Sequence, residues 1–226
     1  MALKGIGPFA TYLIVGSTCF FLGILFGNLP YDYFILWSQP WPTEADPDPM
    51  TRYFALQESH VKFLHASPPL ISRLLNLVIG VGLLGFLMKL YRPTEANKLF
   101  DGASLALYMV GITVYATNIV KGMRAATAGV YGNPELAEDP VALQKSLDSA
   151  DAAIVGREDT LRVIAASNTI LAFILIGILV LQAGQWYAQR KEAQEMEIID
   201  KARDDKRKEK ALEKAEKTDK SSKKKQ

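Results

Sequence analysis

The sequence predicts an all-α fold: an integral membrane four-helix bundle with both termini cytosolic and a charged C-terminal helical tail. Three observations carry this reading. Four apolar runs stand at residues 9–27, 70–90, 99–120 and 161–183, each close to the roughly 20 residues that cross a bilayer as a helix. Small residues recur inside these runs at four-residue spacing, and aromatic residues gather at their ends. Charge is segregated, so the net charge of +2 and the mean hydropathy of +0.07 average two unlike parts. Those parts are a four-span membrane domain, 1–187, and a charged tail, 188–226.

The first run follows a short N-terminus whose one charged side chain is Lys4. A cleavable signal has an apolar core of about 7–15 residues and a small-residue cleavage site, whereas this run is longer and is read as a retained signal anchor. Gly23 and Gly27 lie four apart, on one helix face, where a neighbouring backbone can approach closely. Pro30 is expected to stop the helix, having no N–H and a ring that clashes with the preceding turn. Around Asp32, Tyr31, Tyr33, Trp37 and Trp41 suit the membrane–water boundary.

The first large loop spans 30–69. Asp48 before Pro49 is the pattern of an N-cap followed by proline at the first helical position. The helix it opens carries Phe54, Val61 and Leu64 along one side and is expected to lie on the membrane surface, ending at Ser67-Pro68-Pro69. In the second run Gly80, Gly82 and Gly85 are the small packing positions, and in the third Gly102 and Ala106 repeat the four-residue spacing. The second large loop, 121–160, repeats the cap-plus-proline start at Asp139-Pro140. Leu143, Leu147, Ala150 and Ile154 follow at helical spacing, with Gly156 as the expected stop. The fourth run ends at Gln185-Trp186-Tyr187, a second interfacial aromatic pair.

Orientation follows the distribution of Lys and Arg. Lys4, the short connection with Lys89, Arg92 and Lys98, and fourteen basic residues after Trp186 fall on one side. The two large loops are acid-rich and face the lumen or exterior. The tail carries acid–base pairs at i,i+4, such as Glu197/Lys201 and Asp204/Lys208, and lacks a sustained apolar seam. It therefore reads as a solvated, charge-laced helix rather than a coiled coil.

Several function classes drop out. Cys19 is the single cysteine, so no intramolecular disulfide forms. His60 and His65 are five apart and point in different directions on a helix, with no cysteine nearby, so no metal site is expected. The glycines of GVGLLG (80–85) lie inside an apolar span and do not cradle phosphate. No nucleophile elbow or catalytic carboxylate pair is present, so no catalytic residue or cofactor is expected, and nucleic acid is not an expected partner. Arg73, Asp101 and Arg162 fall near span ends, where they are expected to snorkel to water. That leaves the bilayer centre without charge, which argues against an ion-coupled transporter.

One polar constellation remains. Asn28, Asn76, Asn118 and Asn168 belong to four different spans, each near the same end, accompanied by Thr117, Ser167 and Thr169. They are read either as hydrogen-bonding glue between helices or as a polar rim offered to the spans of another membrane protein. At the C-terminus, Lys223 and Lys224 match a dilysine retrieval signal, a receptor-read address.

Phe21-Leu22-Gly23, Phe26, Pro30, Asp32-Tyr33 and Leu36-Trp37, at the end of a first span, resemble the fungal packaging chaperones of the endoplasmic reticulum that serve amino-acid permeases. The likeness is most specific over residues 9–41 and elsewhere rests on layout. The resemblance implies a multi-pass protein of the endoplasmic reticulum membrane that assists permease folding. It also implies packaging of the permeases into export vesicles, with vesicle-coat components recruited through the tail. Expected partners are thus amino-acid permeases, vesicle-coat components and the lipid bilayer. The expected client-contact residues are Gly23, Gly27, Asn28, Asp32, Asn76, Asn118 and Asn168. The competing reading is a tetraspan scaffold or adaptor that recruits cytosolic partners through its tail; a small membrane oxidoreductase or transporter is a third.

Overall fold

The computed structural model describes residues 6–38, 40–43, 47–91, 95–131 and 150–223. Among them are helices and their connections, with no β-strand. The helices are α1 (Ile6–Leu36), α2 (Pro49–His65), α3 (Pro69–Leu90), α4 (Glu95–Val114), a π-helical turn (Tyr115–Val120), α5 (Lys121–Ala128) and α6 (Ala150–Lys223). Four helical segments are long and apolar enough to cross a membrane: Gly7–Leu36, Pro69–Leu90, Lys98–Ala128 and Gly156–Lys210. They correspond one to one with the four runs.

Two expected stops are absent. Pro30 lies inside α1, which continues to Leu36. An interior proline costs about 3 kcal/mol. Here the turn beyond it is held from outside, because Asp32 and Ile35 are both buried against other helices. Gly156 likewise lies within α6; glycine in a helix interior costs about 1 kcal/mol, which a long packed helix absorbs. The helix of the third run continues past its apolar stretch, through the π turn and α5, before ending at Gly129. That residue adopts φ 74°, a left-handed conformation that glycine takes without a Cβ clash, and Val130 N–H closes the end by donating to Ala125 C=O at 3.0 Å. The Asp139–Pro140 start and Leu143 and Leu147 lie outside the described residues, as does Lys224.

The start of α2 is as expected. Asp48 accepts hydrogen bonds from Thr51 N–H at 3.3 Å and Thr51 Oγ1 at 2.6 Å, with Pro49 at the first turn. Its apolar side, however, faces protein rather than a membrane surface. Phe54 and Val61 are buried in a cluster with Ile35, Ala126, Leu161 and Ile164, while Leu64 remains outside. A short helix gains more from a preformed apolar slot between α1, α5 and α6 than from a headgroup layer.

The chain divides into two compact units, Met1–Gln182 and Ala183–Gln226. The core of the first contains Ile14, Leu25, Phe86, Tyr108, Ile119, Leu171, Leu175 and Ile178. Close helix approaches run through particular glycines. A Cβ on Gly85 would meet Ile14 Cγ1 at 2.8 Å and the Ala10 carbonyl oxygen at 2.9 Å, so α1 and α3 touch backbone to side chain there. Gly82 is as tightly enclosed by Tyr108 and Ser17, and a Cβ on Gly122 would meet Ile164 at 2.6 Å. Gly80 and Gly102, expected among the packing positions, have open space around them. The second unit is helical through Lys223, with no break at the Trp186–Tyr187 pair. Within it Glu197 and Lys201 pair at 2.8 Å, and the Arg190 guanidinium sits 5.3 Å from the Trp186 ring centroid.

Candidate functional site

Three features of the first unit bear on function: a polar node at the α2 end of the bundle, a second node at the opposite end, and an outward stripe on α1.

At the α2 end, Asp32 on α1 is 4% exposed. Its two carboxylate oxygens accept from Gln57 Nε2 on α2 at 2.8 Å and from Asn168 Nδ2 on α6 at 2.9 Å. Gln57 Nε2 also reaches the Leu161 carbonyl at 3.4 Å. One acid therefore ties three elements together. Both amides spend their N–H groups inward, which leaves Gln57 Oε1 and Asn168 Oδ1 buried without a partner among the described residues. Alongside, Asn118 Nδ2 donates to Ser167 Oγ at 3.1 Å, joining the π turn to α6. Asn28 Oδ1 lies 3.1 Å from His60 Nε2, and the His60 ring stacks on Tyr31 at 3.8 Å. Burial pushes the His60 pKa down. Phe34 and Tyr53 stack at 4.3 Å and complete the α1–α2 seam.

Glu58, one residue beyond Gln57, is a second tie. It receives Lys62 Nζ at 2.6 Å, Arg157 at 2.7 Å and the Tyr131 hydroxyl. Burial alone would raise its pKa, but Lys62, Tyr131 and Arg157 outweigh it and hold the carboxyl at about 2. Burial and the adjacent Glu58 charge together push Tyr131 up.

Of the four asparagines singled out in the sequence, Asn28, Asn118 and Asn168 each bond across helices. Asn76 is exposed on α3, where no hydrogen bond with another described residue engages its side chain. Asp32 faces inward. Gln57 and Glu58 were missed, although Gln57 carried a signal: it follows Phe54 by three residues and precedes Val61 by four, on the buried side of an amphipathic helix.

The opposite node overturns one expectation. Asp101 does not snorkel; it is 1% exposed, and its Oδ1 accepts from Lys89 Nζ at 3.1 Å. Lys89 also donates to Gln182 Oε1 at 2.6 Å, and Gln182 Nε2 donates to Ser104 Oγ at 3.1 Å and to Asp101 at 3.3 Å. The reason is local: Lys89 ends α3 and Asp101 begins the span of α4, so a short connection brings opposite charges face to face. Attraction within a low-dielectric bundle, with hydrogen bonds to both partners, then offsets desolvation.

The outward stripe of α1 comprises Phe9, Tyr12, Phe20, Phe26 and Tyr33, with Trp37 just past its end, all exposed, and Gly16, Gly23 and Gly27 between them. Around each of these glycines a Cβ would meet nothing within 4 Å. Large rings and bare backbone thus alternate on a face that the described bundle leaves uncovered. Among the described residues no cluster of three or more His, Cys, Asp or Glu is assembled for a metal ion.

Comparison with known proteins gives a consistent assignment. The profile of the SHR3 chaperone family, described as an ER membrane protein, matches residues 5–223. The secretory component protein psh3 of Schizosaccharomyces pombe is 25% identical over 210 residues, covering 88% of this chain and 84% of the relative. No solved structure matches. The chain belongs to the SHR3 chaperone family and is a multi-pass protein of the endoplasmic reticulum membrane, with a chaperone role there and membrane proteins as its clients.

Proposed function

From this family membership as premise, we propose that the protein assists the folding of amino-acid permeases and their packaging into export vesicles. The name of the psh3 relative, a secretory component, supports the export half of this reading. The observation that carries the folding half is the uncovered α1 stripe with Gly23 and Gly27 in it. A permease of many spans exposes small-residue faces and half-satisfied polar groups until its last helices pack, and hydrocarbon offers those groups no water. A rigid helix presenting bare backbone between aromatic rings can occupy such a face through many weak contacts and then release it. Asn28, Asp32 and Asn168 serve this role from inside by holding α1, α2 and α6 in register, and Asn118 by tying the π turn to α6. Asn76, exposed on α3, is a polar contact for the client.

In this reading both termini are cytosolic and the α2 end of the bundle is lumenal, in keeping with the Lys and Arg distribution. The charged tail recruits vesicle-coat components, and Lys223 and Lys224 return the emptied protein from later compartments. The chemistry is binding and release, with no catalytic step.

The test is permease localisation, with growth on toxic amino-acid analogues, in cells lacking the protein. Permeases held in the endoplasmic reticulum, with analogue resistance, are the expected result. Permeases reaching the surface normally would replace this reading with a tetraspan scaffold acting through its tail. At residue level, Gly23→Leu or Gly27→Leu should lower permease recovery in co-purification while the protein remains inserted; unchanged recovery would remove the first span as the client face.

A further inference from the structure

A groove of about 410 Å³ opens between the π turn and α5 on one wall and the first turns of the α6 span on the other. Thr117, Asn118, Lys121, Gly122, Asp159 and Thr160 line it. Its volume lies in the range of about 300–1,000 Å³ typical of small-ligand sites. None of these residues belongs to the client face on α1, and three features mark the groove as a binding site.

The first is depth. No charged residue occurs between Asp101 and Lys121, nor between Arg162 and Arg190. Lys121 and Asp159 therefore sit where two apolar segments meet the headgroup layer. The second is charge. Lys121 and Asp159 are both exposed, and neither is paired with another charge among the described residues. The groove thus offers an ammonium on one wall and a carboxylate on the other. The third is local backbone. The π turn carries Thr117 and Asn118, and such turns are rare and cluster at functional sites. The walls converge at Gly122, whose missing Cβ admits Ile164, and the floor is tied by the Asn118–Ser167 bond. Val163 continues the lining toward the apolar span.

We propose that this groove binds the headgroup of a zwitterionic phospholipid, phosphoethanolamine or phosphocholine. Lys121 takes the phosphate and Asp159 takes the ammonium. The acyl chains run along α4 and α6 outside the bundle. The seated lipid bridges α5 and α6 at the end where the Asp32 node is built. This assignment stands whether or not permeases are the clients.

The test uses the full chain, delipidated in detergent, titrated with dihexanoyl-phosphatidylcholine, dihexanoyl-phosphatidylethanolamine, dihexanoyl-phosphatidylglycerol and glycerophosphocholine. Thermal unfolding and native mass spectrometry are the readouts. Phosphatidylcholine or phosphatidylethanolamine should raise the unfolding temperature and stay bound, with phosphatidylglycerol clearly weaker. Lys121→Ala and Asp159→Ala should each weaken that lipid about tenfold, roughly 1.4 kcal/mol, and Lys121→Arg should keep it. Both side chains are exposed, so the unliganded unfolding temperature of each variant serves as the folding control. Equal responses in wild type and both alanine variants, or an equal response to phosphatidylglycerol, would overturn the proposal. A full response to glycerophosphocholine alone would keep the chemistry and reassign the source to soluble phosphodiesters. Loss of permease capture in the variants without any lipid response would hand the groove to the client and overturn the lipid.

Discussion

The two buried polar nodes solve the same problem in different ways. At the Lys89 end a carboxylate meets a cation, and an amide and a hydroxyl join them. At the Asp32 end a carboxylate meets two amides, and among the described residues no cation bonds it and two amide oxygens have no partner. The first node joins sequence neighbours, α3 and α4, to α6. The second collects α1, α2 and α6, with 25 and 136 residues separating Asp32 from its two partners. The contrast teaches that the Lys89 node is built on a local ion pair that α6 joins, whereas the Asp32 node exists only once the whole bundle has assembled. Because α6 contributes Gln182 to one and Asn168 to the other, a shift of that helix disturbs both.

The comparison is broken most severely by removing the Lys89 ammonium, whose side chain is 8% exposed. Lys89→Ala takes from Asp101 the ammonium that its Oδ1 accepts from at 3.1 Å, and thermal unfolding in detergent should fall by up to about 3–5 kcal/mol. Lys89→Met with Asp101→Leu should recover most of that loss; failure to recover would mean the brace acts through something other than charge pairing. The Asp32 node should respond less per group. Asp32→Leu strands the N–H groups of Gln57 and Asn168, for about 1–3 kcal/mol each. Gln57→Leu should cost less than Asp32→Leu, since it removes an unpartnered oxygen together with a donor; the reverse order would show that α2 is held by Gln57 through the Leu161 carbonyl instead.

A pH titration separates Glu58 from both nodes. Its folded-state pKa of about 2 lies below its ordinary value of 4.5. Its contribution is therefore fully present above about 4.5 and lost as pH falls toward about 2. Glu58→Gln should lower stability at neutral pH and flatten the acid limb below 4.5, with wild type and variant converging as the acid protonates. A Glu58-dependent change between pH 7 and 5 would contradict the Lys62–Arg157–Tyr131 arrangement. The smallest effect belongs to Asn76, which lies in neither node. Asn76→Leu should leave unfolding within about 0.5 kcal/mol of wild type, whereas Asn168→Leu should lower it clearly; comparable losses would place Asn76 in the bundle after all.

Much of the fold was legible because it is written in composition. Apolar runs of bilayer length, the Asp48-Pro49 cap and the short basic turn after α3 each follow from local chemistry. The inward side of α2 was half legible, through Phe54 and Val61. What escaped was whatever depended on a partner distant in the chain. Pro30 looked like a stop because a lost hydrogen bond is local, while the packing of Ile35 and the bonds to Asp32 are not. Asp101 looked like a snorkelling end charge because nothing in its own run announces that Gln182, 81 residues on, stands opposite.

By itself the sequence determined four membrane spans, their approximate ends, the polar character of one end of the bundle and, through the residues after Phe20, the family resemblance. These are properties of transfer between water and hydrocarbon, and each residue contributes to them independently of its neighbours in space. The tertiary structure alone decided which glycines are filled and which are bare. Gly82, Gly85 and Gly122 are enclosed, while Gly23 and Gly27 stand open. It alone also decided that Asp32 and Asp101 turn inward. Spacing within one helix states only which residues share a face; which face meets another helix depends on the rotation of every helix at once. That rotation is set by the packing of the whole bundle.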